Sequence, residues 1–322
     1  LNYEYNFVRV LLIAILVTIS GGLVLAHFEV LYFSKFFRKK PLGYVLTFKT
    51  VFYTISIFIF TSIATYVSLS FILDHPLFHS SVNQRFLVFL KSPKMWALML
   101  YWGFAVNSGL FVVHISEKLG QGVLINYLLG KYHSPKEETR IFMFLDLTSS
   151  STYAEKLGHI TYSQLIQDCF FDLTSAVTMY DVKVYQYVGD EVVLTWEKER
   201  GIQNNNCLKA FFAFSNSLNQ RANYYREKYG VMPEFKAGVN FGFVTIAEVG
   251  EMKKEIAFHG DAINTAAHIR SVCGEYKKKL LISADLLSLL PAIDKDFVVE
   301  SVGVRKLKGK KNVVGLFSIE ER

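Results

Sequence analysis

Three stretches of the chain contain no Lys, Arg, Asp or Glu: residues 10–28, 50–73 and 95–116. They run for 19, 24 and 22 residues, and about 20 helical residues cross the hydrocarbon of a bilayer. With their flanks they predict spans over about 7–31, 44–73 and 95–116, so that residues 1–116 form a transmembrane region. The loop after the first span holds Lys35, Arg38, Lys39 and Lys40. The loop 74–94 has Asp74, His75, Pro76 and His79, with only three scattered basic residues. Cytoplasmic loops collect Lys and Arg, which places the first loop inside, the second outside and everything after Ser116 inside. The expectation is a multi-pass protein of an inner or plasma membrane with a cytoplasmic second half. Leu1 then lies outside, and a chain opening on Leu rather than Met is read as lacking its natural start and an earlier span, for four in all. His27, Glu29, Asn107 and His114 fall in or beside the spans. Either a metal, haem or quinone site built on His27 and His114 or plain inter-helix hydrogen bonding accounts for them.

The pattern changes after Ser116. Residues 117–140 place Leu119, Val123 and Tyr127, with Leu124 and Leu128, at helical intervals before Pro135. They predict a helical connector that meets a partner helix in a dimer or packs on its own domain. From 141 to 322, short apolar runs alternate with amphipathic ones. IFMFLDL (141–147) reads as a strand, and 149–158 and 161–179 as helices. VKVYQYV and EVVLTW read as strands joined tightly across Gly189-Asp190. A long helix is expected over 203–228, two strands around Gly242, a helix over 261–272, and strands over 297–302 and 313–319. Hairpins mixed with helices predict an α-helical membrane region plus an α+β domain: an antiparallel-rich sheet, ferredoxin-like or palm-type, with flanking helices.

Composition sharpens this division. The chain has 322 residues and a net charge of +7, with mean hydropathy +0.25. Residues 1–116 carry nine Lys/Arg against three Asp/Glu, so +6, and the rest 26 against 25, so +1. The positive charge therefore belongs to the apolar third, which argues against a nucleic-acid partner. Cys169, Cys207 and Cys273 are widely spaced and give neither a disulfide framework nor a zinc pattern.

Two carboxylates stand out in the second half. Asp146 closes the first apolar strand, and Asp190 sits at the hairpin tip. Two hard carboxylates brought together suit Mg²⁺, which keeps waters and takes phosphate oxygens as further ligands. Thr148, Ser149, Ser150, Ser151 and Thr152 follow where a helix begins, and backbone N–H groups there can cradle phosphate. Ordinary capping would also place Ser and Thr at that point.

FLDLTSSSTYAEKLG, YQYVGDEVVLTW, FHGDAINTAAHI and LKGKK occur in this order along the chain. Together they resemble the catalytic domain of the class III nucleotidyl cyclases, the adenylyl and guanylyl cyclases, over about residues 138–320. The resemblance implies that Asp146 and Asp190, with the backbone of Leu147, hold two Mg²⁺ ions per site, for which Mn²⁺ substitutes. It implies that Asn264 orients the ribose and that Lys308, with Lys310 as fallback, binds the terminal phosphates. It further implies a homodimer, with the metal residues of each site from one chain and Asn, Arg and Lys from the other, and a substrate of ATP or GTP.

Three positions depart from the family pattern. His268 stands where an arginine stabilises the α-phosphate, and Arg270, about 200° further round the helix, faces elsewhere. Gln186 replaces the base-reading Lys or Glu, and Lys183, three positions back along a strand, is expected on the opposite face. Ala257 takes the place of the second base-reading residue. ATP is chosen on family frequency. The rivals are a guanylyl cyclase and a degenerate nucleotide-binding module. A diguanylate cyclase would need a GGDEF-type loop where this chain has VGDEVV.

Overall fold

The computed structural model describes residues 2–33, 36–37, 40–120, 122–306 and 313–322. Internal contacts divide the chain into two units, residues 1–118 and 119–322. In the first, helix α1 (Asn2–Phe28) passes into a π-helical turn, Glu29–Phe33. Helices α2 (Leu42–Leu73), α3 (Ser80–Lys91) and α4 (Pro93–Leu119) follow. The helical stretches Phe7–Phe33, Leu42–Leu73 and Pro93–Leu119 are long and apolar enough to cross a membrane. Leu16, Leu100 and Phe104 are 66%, 77% and 75% exposed, apolar surface that water penalises and hydrocarbon accepts.

Polar groups in this unit are met across helices. Lys49 Nζ of α2 lies 2.5 Å from Glu29 Oε1, and the Tyr53 hydroxyl donates to Glu29 Oε2. Phe33, Phe37 and Val45 pack beside them. Glu29 is thus part of an inter-helix hydrogen-bonded cluster. Helix α3 lies inside what the sequence suggested was a loop, and its first turn is capped by the His79 ring, which accepts from the Ser81 N–H.

The second unit opens with α5 (Val123–Leu128), a single short turn of helix rather than the expected connector rod. Gly120 and Gly122 adopt φ of 97° and 74°, which an α-helix cannot contain, so the apolar periodicity across 117–132 does not become one helix. Strand β1 (Lys136–Leu147) begins five residues earlier than its apolar run. Helix α6 (Ser150–Met179) is broken at Gly158, whose φ of 72° and ψ of 162° are not helical, so it comprises the two helical pieces the sequence indicated. Strands β2 (Lys183–Val188) and β3 (Glu191–Glu197) form the expected hairpin. A short α7 (Lys198–Ile202) precedes α8 (Asn206–Gln220) and α9 (Ala222–Tyr229), which replace the single helix expected over 203–228. The break at Arg221 returns α9 to α6. There Tyr224, Lys228 and Tyr229 converge on Asp168, while Arg221 and Tyr225 engage Asp172.

Strand β4 (Phe235–Val249) is continuous through Gly242, where two strands were expected. It is followed by β5 (Glu255–His259), α10 (Asp261–Val272), β6 (Leu280–Ser283), α11 (Ala284–Leu287), β7 (Phe297–Lys306) and β8 (Val313–Glu321). The sheet order is β2-β3-β1-β4-β6-β8-β7, with β5 added on β4. Only the β4–β6 pairing is parallel among the described residues. The fold is therefore the antiparallel-rich α+β sheet with flanking helices that the sequence indicated.

β1 is central and buried on both faces, which explains its unbroken apolar run. Ile141, Met143, Leu145 and Leu147 enter the core with Leu165, Leu173, Phe214 and Tyr225. Phe142, Val193, Val244 and Ile246 form the opposite face with Ala262 and Ala266 of α10. Gly242 and Gly238 allow that helix to approach. A Cβ on Gly242 would come within 2.9 Å of Ala262 Cβ. A Cβ on Gly238 would meet Arg270 N at 2.1 Å and Ala266 O at 2.6 Å. Gly238→Ala is predicted to cost about 1–3 kcal/mol by forcing α10 off the sheet, lowering Tm in thermal unfolding of the full chain. An unchanged Tm would show that α10 is not seated this closely.

Candidate active site

The site is built by sheet register. Asp146 is the penultimate residue of β1 and lies opposite Glu191 of β3 on one side and Lys236 of β4 on the other. Because β3 starts at Glu191, the β2–β3 turn and Asp190 are carried to the C-terminal end of β1. The next residues lead directly into α6. Ser149 takes φ 59° before the helix, and Thr148 donates its N–H to Glu234 O at 2.8 Å. The phosphate cradle expected over 148–151 therefore lacks the Thr148 amide. The helix-end amides after it, at Ser149, Ser150 and Ser151, are those that intrahelical bonding does not consume.

Three acids meet at this strand end, and two cations answer them. Arg270 of α10 contacts Asp146 Oδ2 through Nη1 at 3.2 Å and pairs with Glu191 through Nη2. Lys236 Nζ lies 3.4 Å from the same Asp146 oxygen. Burial pushes the Asp146 carboxyl above its ordinary value; the charge of Asp190 adds to this, and Arg270 and Lys236 oppose it. Glu191 is raised in the same way, first by burial and then by Asp146 and Asp190. Tyr162 of α6 is pushed up first by burial and then by the charge of Asp190.

Carboxylates clustered at one strand end form a site whose ionised state a divalent cation stabilises. Asp146 and Asp190 fit such an ion on this ground; the Leu147 backbone is the further ligand that the resemblance implies. Among the described residues no three or more His, Cys, Asp and Glu side chains form a ready cage. An ion held here would take waters or phosphate oxygens as its other ligands.

The remaining candidate residues fall elsewhere. On α10, Ala262, Ala266 and Arg270 form one i, i+4 stripe, which faces the sheet. Asn264 and His268 form another, Asn264 exposed and His268 half-buried. The chain therefore does not turn Asn264 and His268 toward its own carboxylates. Gln186 is exposed on β2, and Ala257 is half-buried on β5, opposite Ala247. Their neighbours Tyr185 and Phe258 touch edge to face with ring centres 4.7 Å apart, so positions 186 and 257 each adjoin one member of a ring pair.

The expectation for Lys183 is corrected. A β-bulge at Tyr185 sets Lys183 opposite Thr195 and Gln186 opposite Val193, which returns the two to the same side of the hairpin. Lys183 Nζ is held by Glu197 Oε1 at 2.9 Å. Lys308 and Lys310 lie outside the described residues. Sequence reasoning missed Glu191, Lys236 and Tyr162, although the Ala262–Ala266–Arg270 spacing already carried Arg270 onto the helix face that meets the sheet.

Residues 132–320 match the family model of the adenylate and guanylate cyclase catalytic domain. The chain belongs to this family. It is 31% identical over 212 residues to "Adenylate cyclase 2" of Rhizobium meliloti (strain 1021), covering 65% of this chain and 58% of that protein. It is 26% identical over 136 residues to "Adenylate cyclase, terminal-differentiation specific" of Dictyostelium discoideum, covering 42% of this chain and 6% of that protein. The chain thus spans less than two thirds of either relative. Its fold is similar to that of a bacterial light-regulated adenylyl cyclase, with TM-score 0.60, 17% identity, and 72% and 67% of the two chains covered. It is also similar to the adenylyl cyclase CyaB from P. aeruginosa, with TM-score 0.52, 17% identity, and 59% and 97% covered.

The raised Asp146 carboxyl has a consequence for stability. A carboxyl whose folded pKa exceeds its unfolded value destabilises the fold when ionised. That cost is absent in acid below the ordinary carboxylate range and grows as pH rises through the interval up to the raised value. With metals chelated, Asp146→Asn is predicted to be more thermostable than wild type at pH 7, the advantage shrinking as pH falls toward about 4. A Tm advantage that widens in acid would contradict the assignment.

Proposed function

We propose that the protein is a membrane-anchored nucleotidyl cyclase that converts ATP to 3′,5′-cyclic AMP and pyrophosphate at the interface of a homodimer. The observation that carries this reading is the division of the site. Asp146 and Asp190 meet at one strand end, while Asn264 and His268 stand on a stripe of α10 turned away from them. One subunit holds two halves of a site facing different ways, and a second copy related by two-fold symmetry would join unlike halves twice. The name of the Rhizobium relative favours ATP over GTP.

In this reading the ribose 3′-oxygen forms a bond to the α-phosphorus, the bond from that phosphorus to the bridging oxygen of pyrophosphate breaks, and the 3′-hydroxyl proton leaves. Asp146, Asp190 and the Leu147 carbonyl would hold two Mg²⁺ ions, or Mn²⁺ in their place. When bound, such ions supply a lowered hydroxyl pKa and charge neutralisation on the leaving pyrophosphate. The chain's own residues position the rest. The amides of Ser149, Ser150 and Ser151 point out of the start of α6 toward phosphate oxygens. Asn264 of the facing subunit orients the ribose, and His268 stands against the α-phosphate. Lys308 or Lys310 binds the terminal phosphates. Gln186, whose amide both donates and accepts, lies against the base, where Ala257 offers only a methyl group.

The bilayer anchor rests on the three long apolar helices. The basic residues Lys35, Arg38, Lys39 and Lys40 support a cytoplasmic side of an inner or plasma membrane for the loop after the first helix, because cytoplasmic loops collect Lys and Arg. The catalytic domain is then cytoplasmic.

One observation favours a second reading. An imidazole is a poorer clamp for phosphate than a guanidinium, and Arg270 is committed to Asp146 and Glu191 of its own chain. His268 thus fits a weakly active or degenerate domain. A single assay separates these. Cyclic nucleotide formation from ATP and from GTP is measured with Mg²⁺ or Mn²⁺ on the full chain, on Asp190→Ala and on His268→Arg. ATP is expected to be turned over, Asp190→Ala to lose activity while still folding and dimerising, and His268→Arg to be faster. No product from wild type with either triphosphate, and product from His268→Arg, would establish the degenerate reading.

A further inference from the structure

Arg270 is committed to the carboxylates more tightly than a surface cation would be. Its side chain is 27% exposed, against 12% for Asp146 and 13% for Glu191. One guanidinium nitrogen reaches Asp146 and another reaches Glu191, so a single planar group spans both acids. Its Nε is buried and has no hydrogen-bond partner among the described residues. The group is thus placed for its charge rather than for full satisfaction of its donors.

Arg270 N would lie 2.1 Å from a Cβ on Gly238, so α10 is seated closely on β4 at this residue. Lys236 adds a second positive charge on the same Asp146 oxygen, at 3.4 Å. Three carboxylates against two cations leave one net negative charge at the strand end where the acids alone would carry three, which is a weaker trap for a bare divalent ion.

Resting on the reading of Asp146 and Asp190 as metal ligands, we propose that Arg270 is a positioning residue that keeps bare divalent ions off Asp146, so that metal enters effectively only with a triphosphate. An ion arriving with a triphosphate brings its own negative charge and meets no net repulsion from Arg270 and Lys236. A bare ion must compete with both. Arg270 also holds Asp146 and Glu191 in place while no ion is present, against the repulsion of like charges set directly opposite across two strands.

The test is binding of Mn²⁺ alone to the full chain in detergent, read from loss of the free-ion electron paramagnetic resonance signal, with thermal unfolding as the check on folding. Wild type is expected to bind bare Mn²⁺ weakly. Arg270→Gln is expected to bind it about tenfold or more tightly, and this gap should close when ATP is added. Unchanged or weaker Mn²⁺ binding by folded Arg270→Gln would overturn the inference, as would the same gain with ATP present. If Arg270→Gln does not fold, Lys236→Gln carries the test: a smaller gain of the same sign supports the inference, and no gain overturns it. Asp190→Asn in the Arg270→Gln background should abolish the added binding. Retention of that binding would place the ion elsewhere and overturn the metal reading itself, whereas unchanged Arg270→Gln beside Asp190-dependent binding in wild type overturns only the role of Arg270.

Discussion

Like-charge crowding at the C-terminal end of β1 is the constraint from which the rest of the catalytic unit follows. Sheet register sets Asp146 directly opposite Glu191 and brings Asp190 to the adjacent turn, an arrangement that opposes folding through both burial and repulsion. It is tolerated because α10 is seated against β4 at Gly238 and delivers Arg270 between the acids, with Lys236 completing the balance. The helix that supplies this counter-charge also presents Asn264 and His268 on its other stripe. One short helix thus joins the electrostatics of the strand end to the placement of Asn264 and His268.

Much of this was legible in the sequence, and the failures have identifiable causes. The β2–β3 hairpin and the helix over 261–272 were visible because Gly189-Asp190 and a clean 3.6-residue period mark them unambiguously. Asp146 was visible because it closes an apolar strand, and Asp190 because it sits at the tip of a tight hairpin. The connector was misjudged because apolar spacing alone does not register that Gly120 and Gly122 take left-handed conformations. Gly242 was taken for a turn, yet its lack of a side chain serves the close approach of Ala262. Nothing local to the sequence distinguishes those two uses of glycine.

The errors at the site have a different origin. The bulge at Tyr185 breaks the two-residue alternation on which the orientation of Lys183 was judged, and bulges leave little trace in an apolar pattern. Arg270 was recognised as facing away from His268, but its partners lie 124 residues and 79 residues earlier in the chain. Only the tertiary register of β1, β3 and β4 discloses them. The three long apolar helices were the easiest to read, since charge-free runs of that length need no tertiary information.

The account stands on two complementary half-sites contributed by facing copies. Mixing Asp190→Ala subunits with Asn264→Ala subunits tests it most directly, because each variant retains the half that the other lacks. If the site is shared, two preparations that are inactive separately should regain cyclic nucleotide formation when co-assembled, to roughly a quarter of the wild-type rate for random pairing in a two-fold dimer. No recovery on co-assembly, with wild type active under the same conditions, would contradict a site divided between subunits.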